Sequence, residues 1–341
     1  MSARPEKILA LQFKYFGDAV LLTPALRALR EDFPQAEIHL LVPAEMTPLF
    51  QQSPWLTRVW ALPRRRGRAS LRETWPLISA LRRERFDRSV DFAGNDRGAL
   101  LSWFISAKNR LGWNERGGFF GRKFCYTQRV TPEKPLPHES ARLVQLLAGW
   151  QISPTRSLES EIRADDSLAD AAQKILPSEN SIICHVASSQ PKKEWPLTHW
   201  AKLHQLVTGS GYQLVFTTAR GEREAALMTE LKNLAPDAVI LPPVPELPLF
   251  LAVLARAKFF ISGDTGPLHF AAGLGVPTLS LFGPTPPARW APVGEKHVAL
   301  AGSTCHCDGN LFSCGSLNHC LAVISPEQVY EELKRRTTSS A

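Results

Sequence analysis

Residues 259–283 read FFISGDTGPLHFAAGLGVPTLSLFG, and this stretch decides the fold. An apolar strand over Phe259–Ser262 ends at Gly263. Asp264 and Thr265 carry the side-chain oxygens that cap a helix, and Gly266 lets another group approach the backbone closely. Pro267 suits a first helical turn, where its missing N–H costs nothing. A helix over Pro267–Leu274 follows, then a second apolar strand over Pro277–Phe282. Apolar strands joined through a helix belong to a parallel sheet covered on both faces. The helix start presents free N–H groups and the positive end of a dipole, which suit a phosphate. The same turn serves equally well as a capped strand–helix junction with no ligand.

The pattern extends outward in both directions. Upstream in the second half, strands are expected over Ser181–Ala187, Gln213–Thr218 and residues 239–241. Helices are expected over Thr198–Thr208, Glu222–Leu234 and residues 246–256. The first half repeats the architecture without repeating the sequence. Its strands are Lys7–Phe13, Glu37–Val42, Arg58–Leu62 and Arg88–Ala93. Its helices are Asp18–Glu31, Ser70–Arg85, Arg97–Ala107 and His138–Trp150. The fold class is therefore α/β, with two Rossmann-like parallel-sheet lobes expected to face each other across a cleft. Ligands in such sheets bind beyond the carboxyl ends of the strands. A polar stretch, Gln151–Ser160, follows the helix at 138. It places the domain boundary so that 1–155 forms the first lobe and 156–341 the second, with the last helix able to pack back on the first lobe.

Three further loops carry candidate chemistry. Ser188-Ser189-Gln190-Pro191-Lys192-Lys193-Glu194-Trp195-Pro196 follows the first strand of the second lobe, and its hydroxyls and ammonium groups suit a pyrophosphate. A solvated loop anchored by Trp195 explains the same residues. Lys14-Tyr15-Phe16-Gly17-Asp18-Ala19-Val20 follows the first strand of the first lobe. Asp18 there either caps the helix or takes a proton from an acceptor hydroxyl. Residues 64–88 hold nine arginines against three acids (Glu73, Glu84, Asp87). The density at Arg64, Arg65, Arg66 and Arg68 points to an anionic partner, although a solvated basic helix reads the same way.

Bulk properties bound the function. The chain has 341 residues, 44% hydrophobic and 21% charged, enough for two cored domains and unlike a disordered chain. No apolar run approaches the ~18 residues that span a bilayer. MSARPEKILALQF reads as a first strand and not a signal peptide, because its apolar run is short and lacks a small-residue cleavage site. The six cysteines are Cys125, Cys184, Cys305, Cys307, Cys314 and Cys320. Four crowd one segment with the spacing C-x-C-x6-C-x5-C, which is not a secreted disulfide framework. Zinc on Cys305, Cys307, Cys314 and Cys320 is one reading, reduced packed thiols the preferred one, so no metal is expected. A reducing cytoplasm is the expected location.

Taken together, these features resemble the heptosyltransferases of lipopolysaccharide core synthesis (glycosyltransferase family 9). ILALQFKYFGDAVLLTPALRALREDFP, at 8–34, is similar to that family's opening strand, loop and helix. HVASSQPKKEWPLTHWAKL, at 185–203, is similar to its donor loop. SGDTGPLHFAAGLGVPTLSLFGPTPPARWAPVG, at 262–294, is the most specific block, and CLAVISPEQV, at 320–329, resembles the tail of many members. The resemblance implies a GT-B fold, an ADP-heptose donor, and inverting transfer without a metal or other cofactor. It implies Asp18 as the base. Ser188, Ser189, Lys193, Thr265 and Gly266 are implied as donor-phosphate contacts, and Asp264 as a sugar contact, with His269 on the same helix. Glu222 is a looser match for an acid that holds the nucleoside, because Thr218-Ala219-Arg220-Gly221 replaces the usual glycine-rich approach.

The implied partners are a nucleotide-sugar and an anionic, lipid-linked oligosaccharide acceptor held by the arginines. Peripheral contact with the inner membrane at its cytoplasmic face, a monomeric state and no nucleic acid complete the expectation. Rival readings are a family-related transferase using another nucleotide-sugar, or a nucleotide-sugar epimerase or hydrolase on the same fold. A nucleic-acid binder, suggested by the net charge of +8, lacks a binding motif and stacking aromatics beside the basic run.

Overall fold

The computed structural model describes residues 4–13, 15–63, 71–115, 117–302 and 319–338. Its contacts divide the chain between Ile162 and Arg163. Each unit is built on one six-stranded, all-parallel sheet. The α/β class and the pair of Rossmann-like sheets are those read from the sequence.

The first sheet contains β1 (Lys7–Leu11), β2 (Glu37–Pro43), β3 (Arg58–Leu62), β4 (Arg88–Asp91), β5 (Asn109–Trp113) and β6 (Gln128–Val130), in the order β3-β2-β1-β4-β5-β6. This doubly wound order leaves a crevice where the winding reverses, between β1 and β4. Ile8, Leu9, Ala10 and Leu11 are wholly buried, because helices cover both faces of a parallel sheet and leave no wet side for alternation. Those helices are α1 (Phe16–Leu21), α2 (Thr23–Asp32), α3 (Leu71–Arg83), α4 (Asp96–Ile105) and α5 (Glu139–Leu146). The single helix expected over Asp18–Glu31 is two. Pro24, at the start of α2, has no N–H to continue the ladder, and the chain restarts after Leu22. Residues beyond the expected boundary at 155 stay with this unit. Arg27 donates to the carbonyl oxygens of Ser157 and Glu159, and the Glu161 N–H donates to Thr23 Oγ1 at 3.0 Å.

The second sheet repeats the plan. It contains β7 (Ser181–His185), β8 (Gln213–Thr217), β9 (Val239–Ile240), β10 (Phe259–Gly263), β11 (Thr278–Phe282) and β12 (His297–Ala301), in the order β12-β11-β10-β7-β8-β9. Counted from its own first strand, this is the order of the first sheet, with the reversal between β7 and β10. The helices are α6 (Ala169–Ile175), α7 (Leu197–Val207), α8 (Glu222–Leu234), α9 (Leu247–Ala255), α10 (Gly266–Gly273), α11 (Pro287–Trp290), α12 (His319–Ala322) and α13 (Pro326–Thr338). Trp195, Trp200 and Phe216 centre its core, the two indoles meeting edge to face with ring centroids 4.9 Å apart. The final helix, allowed by the sequence reading to return to the first lobe, buries Val329 and Leu333 in this same core.

Strands β5, β6 and β12 were not expected. NRLGW and QRV interrupt their apolar residues with Gly, Asn, Gln or Arg, and β6 and β12 lie at sheet edges. The interrupted strands β5 and β6 give no continuous apolar run to read, and the four apolar residues of β12, Val298–Ala301, are too short a run to mark a strand by themselves.

His185 ends β7 opposite Ser262 and is 5% exposed. Its Nδ1 has no hydrogen-bond partner among the described residues. Burial pushes its imidazole down to about 4, while an unfolded histidine titrates near ~6.5. The unfolded chain therefore binds the proton first as the pH falls. The contribution of neutral His185 is complete above ~6.5 and is lost as the pH drops toward about 4. Urea unfolding at pH 7 and pH 5 is expected to show a steeper acid loss of stability for the wild type than for His185→Gln; equal slopes would remove His185 from the acid response.

Candidate functional site

At the reversal of the second sheet, the segments after β7 and β10 come together. The contact is tight: a Cβ added to Gly263 would lie 2.5 Å from the carbonyl oxygen of Lys193. Only a residue without a side chain lets the 188–196 loop lie against the end of β10.

This approach delivers Lys193 to Asp264. The ammonium donates to Asp264 Oδ2 at 2.5 Å, and Thr285 Oγ1, following β11, donates to the same oxygen at 2.9 Å. His269 Nε2, from α10, lies 3.9 Å from Asp264 Oδ1. The side chains of Asp264, Lys193 and His269 are 11%, 16% and 5% exposed. Burial opposes ionisation of Asp264, but His269 and Lys193 outweigh it and hold the carboxyl well below the usual carboxylate range. Beside this group α10 begins. Thr265 is its N-cap and accepts from the Leu268 N–H at 3.4 Å, with Pro267 in the first turn. A fixed ammonium, an ionised carboxylate and the N-terminus of a helix thus meet at one end of the sheet. Such a grouping has the chemistry to receive an anion and a polyhydroxyl group side by side.

A second network shapes the loop. The Ser188 N–H donates to Glu194 Oε1 at 2.7 Å, closing the loop on itself. Arg223, from α8, pairs with that same carboxylate oxygen and donates to the Ser188 carbonyl at 3.2 Å. Glu194 raises the Arg223 pKa chiefly through this hydrogen bond. Trp195 is buried and its Nε1–H donates to the Ile324 carbonyl at 2.9 Å. The loop is therefore clamped at Gly263, Arg223 and Trp195.

Of the residues singled out from the sequence, Ser188, Lys193, Asp264, Thr265, Gly266 and His269 lie in or beside this group. Ser188 is buried and Ser189 exposed. Glu222 stands exposed on the first residue of α8, and its neighbours Arg223 and Glu224 make the pair near the loop. Thr285, Glu194 and Arg223 were not singled out. Thr285 had a readable signal, since it follows a strand adjacent to β10; Glu194 and Arg223 form a pair visible only after folding.

In the first unit, β1 and β4 flank the corresponding reversal. Asp18 lies in the first turn of α1, partly exposed; the N-cap position is Tyr15, which makes no side-chain capping bond. Asp91, at the end of β4, was also missed. It is wholly buried, accepts from the Tyr126 hydroxyl at 2.6 Å and from the Gly94 N–H at 3.2 Å, and burial pushes its carboxyl up to about 6. Arg64, Arg65, Arg66 and Arg68 lie outside the described residues, as do Cys305, Cys307 and Cys314. Cys320 is buried at the start of the α12–α13 segment. Among the described residues no group of three or more His, Cys, Asp or Glu is placed to share a metal ion.

The sequence profile of glycosyltransferase family 9 (heptosyltransferase) matches residues 74–311. The chain is 26% identical over 348 residues to lipopolysaccharide heptosyltransferase 2 of Escherichia coli K12, covering 96% of this chain and 97% of that one. Among solved structures, it superposes on a family 9 glycosyl transferase from Veillonella parvula with a TM-score of 0.83 at 20% identity, covering 99% of both chains. It superposes on the E. coli ADP-heptose lps heptosyltransferase II with a TM-score of 0.80 at 22% identity, covering 98% of this chain and 100% of the other. The GT-B fold is shared along essentially the whole chain, and the profile match, from α3 to beyond β12, takes in the described site with its 188–196 loop. The protein belongs to glycosyltransferase family 9, the heptosyltransferase family, and is a glycosyltransferase.

Proposed function

We propose that the protein transfers a heptose from ADP-heptose to an acceptor of the lipopolysaccharide core attached to lipid A, with inversion at the anomeric carbon. The observation that carries this reading is the Lys193–Asp264 pair held at the N-terminus of α10. Breaking the sugar–phosphate bond leaves extra negative charge on the departing diphosphate. Lys193, the free N–H groups at Thr265 and Gly266, and Ser188 and Ser189 are the groups assigned to that charge. Asp264, kept ionised by its neighbours, is assigned to the sugar hydroxyls together with His269, and Glu222 to the nucleoside.

Asp18 is assigned as the base. The acceptor oxygen forms its bond to the anomeric carbon while the bond to the diphosphate breaks, and the acceptor proton passes to the Asp18 carboxylate. Charge stabilisation by these protein groups is expected to suffice without a bound metal or other cofactor. The donor identity is supported by the named activity of the relatives.

Arg64, Arg65, Arg66 and Arg68 are assigned to the acidic acceptor. No helix among the described residues is long and apolar enough to cross a membrane. A cytoplasmic monomer that meets the inner membrane peripherally, without nucleic acid, fits a lipid-linked acceptor.

Two variants test separate parts of this reading. Asp18→Ala is expected to lower transfer by about two to four orders of magnitude, the usual range for a lost general base, with ADP binding by calorimetry unchanged; near-normal turnover would remove Asp18 from the chemistry. Gly263→Ala drives a methyl group into the Lys193 carbonyl. It is expected to weaken ADP binding about tenfold, within the ~1–3 kcal/mol cost of overpacking; unchanged affinity would detach Lys193 from the donor phosphates. A thermal-shift screen with ADP-, UDP- and GDP-sugars should give a shift with the ADP-sugar alone. Release of free heptose from ADP-heptose without acceptor, at the rate of transfer, would favour a hydrolase.

A further inference from the structure

The first unit carries a group of large apolar side chains that its own core does not use. Phe120 is 103% exposed, Phe124 70%, Trp103 53% and Trp75 54%. Single exposed apolar side chains are ordinary on a protein surface; a set on adjoining elements is not. These elements adjoin through α4. On one side α3 packs against it, Ile78 and Leu81 joining Leu101 and Ile105 in one core, while Arg82 Nη1 donates to the Phe104 carbonyl at 2.7 Å. On the other, Cys125 and Tyr126 pack against Ala99 of α4 and hold the preceding 117–124 segment there. Leu100 and Trp103, one turn apart, form the outer face of α4 between them, and both are exposed.

The charge on this face is mainly positive. Lys123 lies between the two phenylalanines, its ammonium 5.1 Å from the Phe124 ring. Arg82, Arg83 and Arg85 are exposed at the end of α3 and the turn after it. Nearby, the acidic Asp96 lies 3.8 Å from Arg122 and accepts from the Phe119 N–H, and Glu115 is paired with Arg142. Aromatic side chains standing out beside cations are the composition of a surface that rests in the headgroup region of a bilayer. The rings enter the acyl boundary and the cations meet anionic phosphates.

We propose that this face, centred on Trp103, Phe120, Lys123 and Phe124, docks the protein on an anionic lipid bilayer. It gives the peripheral membrane contact of the proposed function a defined surface and rests on that part of the reading. The test uses the full-length protein with sucrose-loaded vesicles and neither nucleotide nor acceptor, so its failure leaves the transfer chemistry standing. The wild type is expected to sediment with phosphatidylcholine vesicles containing phosphatidylglycerol, and far less with phosphatidylcholine alone. The combined Trp103→Ser, Phe120→Ser and Phe124→Ser variant should partition at least about tenfold more weakly, and Lys123→Gln about fivefold more weakly. Unchanged thermal midpoints show that the variants are folded; if the triple variant has lost its fold, Phe120→Ser alone, at a wholly exposed position, carries the test. Absence of sedimentation, equal binding to both vesicle types, or variants that bind like the wild type would overturn the proposal. So would a wild-type dimer that these substitutions convert to monomer in light scattering, which would assign the face to a second copy of the chain.

Discussion

The Asp264 carboxylate, buried and tied to the Lys193 ammonium, is the interaction on which the second unit's site depends. A buried ion pair contributes little net stability, because desolvating both charges offsets most of their attraction. What it gives is position. Lys193 arrives from the segment after β7, Asp264 from the end of β10, Thr285 from beyond β11 and His269 from α10. Each contact requires the parallel sheet to be in register and the 188–196 loop to lie flat against Gly263. The charge cluster therefore reports the correct assembly of three neighbouring strands, and it stands where a parallel sheet leaves its crevice.

The two units share one topology but put different chemistry at its reversal point. In the second, cations and a helix start surround a carboxylate held ionised. In the first, Asp91 is a carboxyl pushed toward its neutral form by burial and hydrogen-bonded to Tyr126, and Asp18 stands partly exposed in the first turn of α1. One winding rule thus supports a buried ion pair at the reversal of one sheet and a buried, hydrogen-bonded carboxyl at that of the other, and the difference comes from a few side chains at strand ends.

Much of this was legible in the sequence, for physical reasons that can be named. Fully buried strands such as Ile8–Leu11 and Phe259–Ser262 read as unbroken apolar runs, and the GDTGP turn follows its strand directly, so local chemistry fixed both strand end and helix start. Edge and interrupted strands such as Gln128–Val130 carried no such run. Pro24 suits a helix start, but the apolar spacing over Asp18–Glu31 runs straight through it and hides the break. The clamps were hidden for another reason: Arg223 meets Glu194 from 29 residues away, and nothing local to either marks the pairing. Glu222 shows the same limit from the other side, since a match of residue type at a helix start did not identify which of three consecutive charged residues turns toward the loop.

Trp195 closes the 188–196 loop by donating to the carbonyl of Ile324, 129 residues further along the chain, in a core that also takes Val329 and Leu333. The order of synthesis then matters. The first unit has all its strands and its closing contacts once the ribosome has passed Ile162, and can fold while the rest is made. The loop that presents Lys193 is made early in the second unit but lacks its support until α13 emerges. On the ribosome the first unit is finished well before Ile324 is made, and the end of the second sheet where Lys193 meets Asp264 takes its final shape only after that.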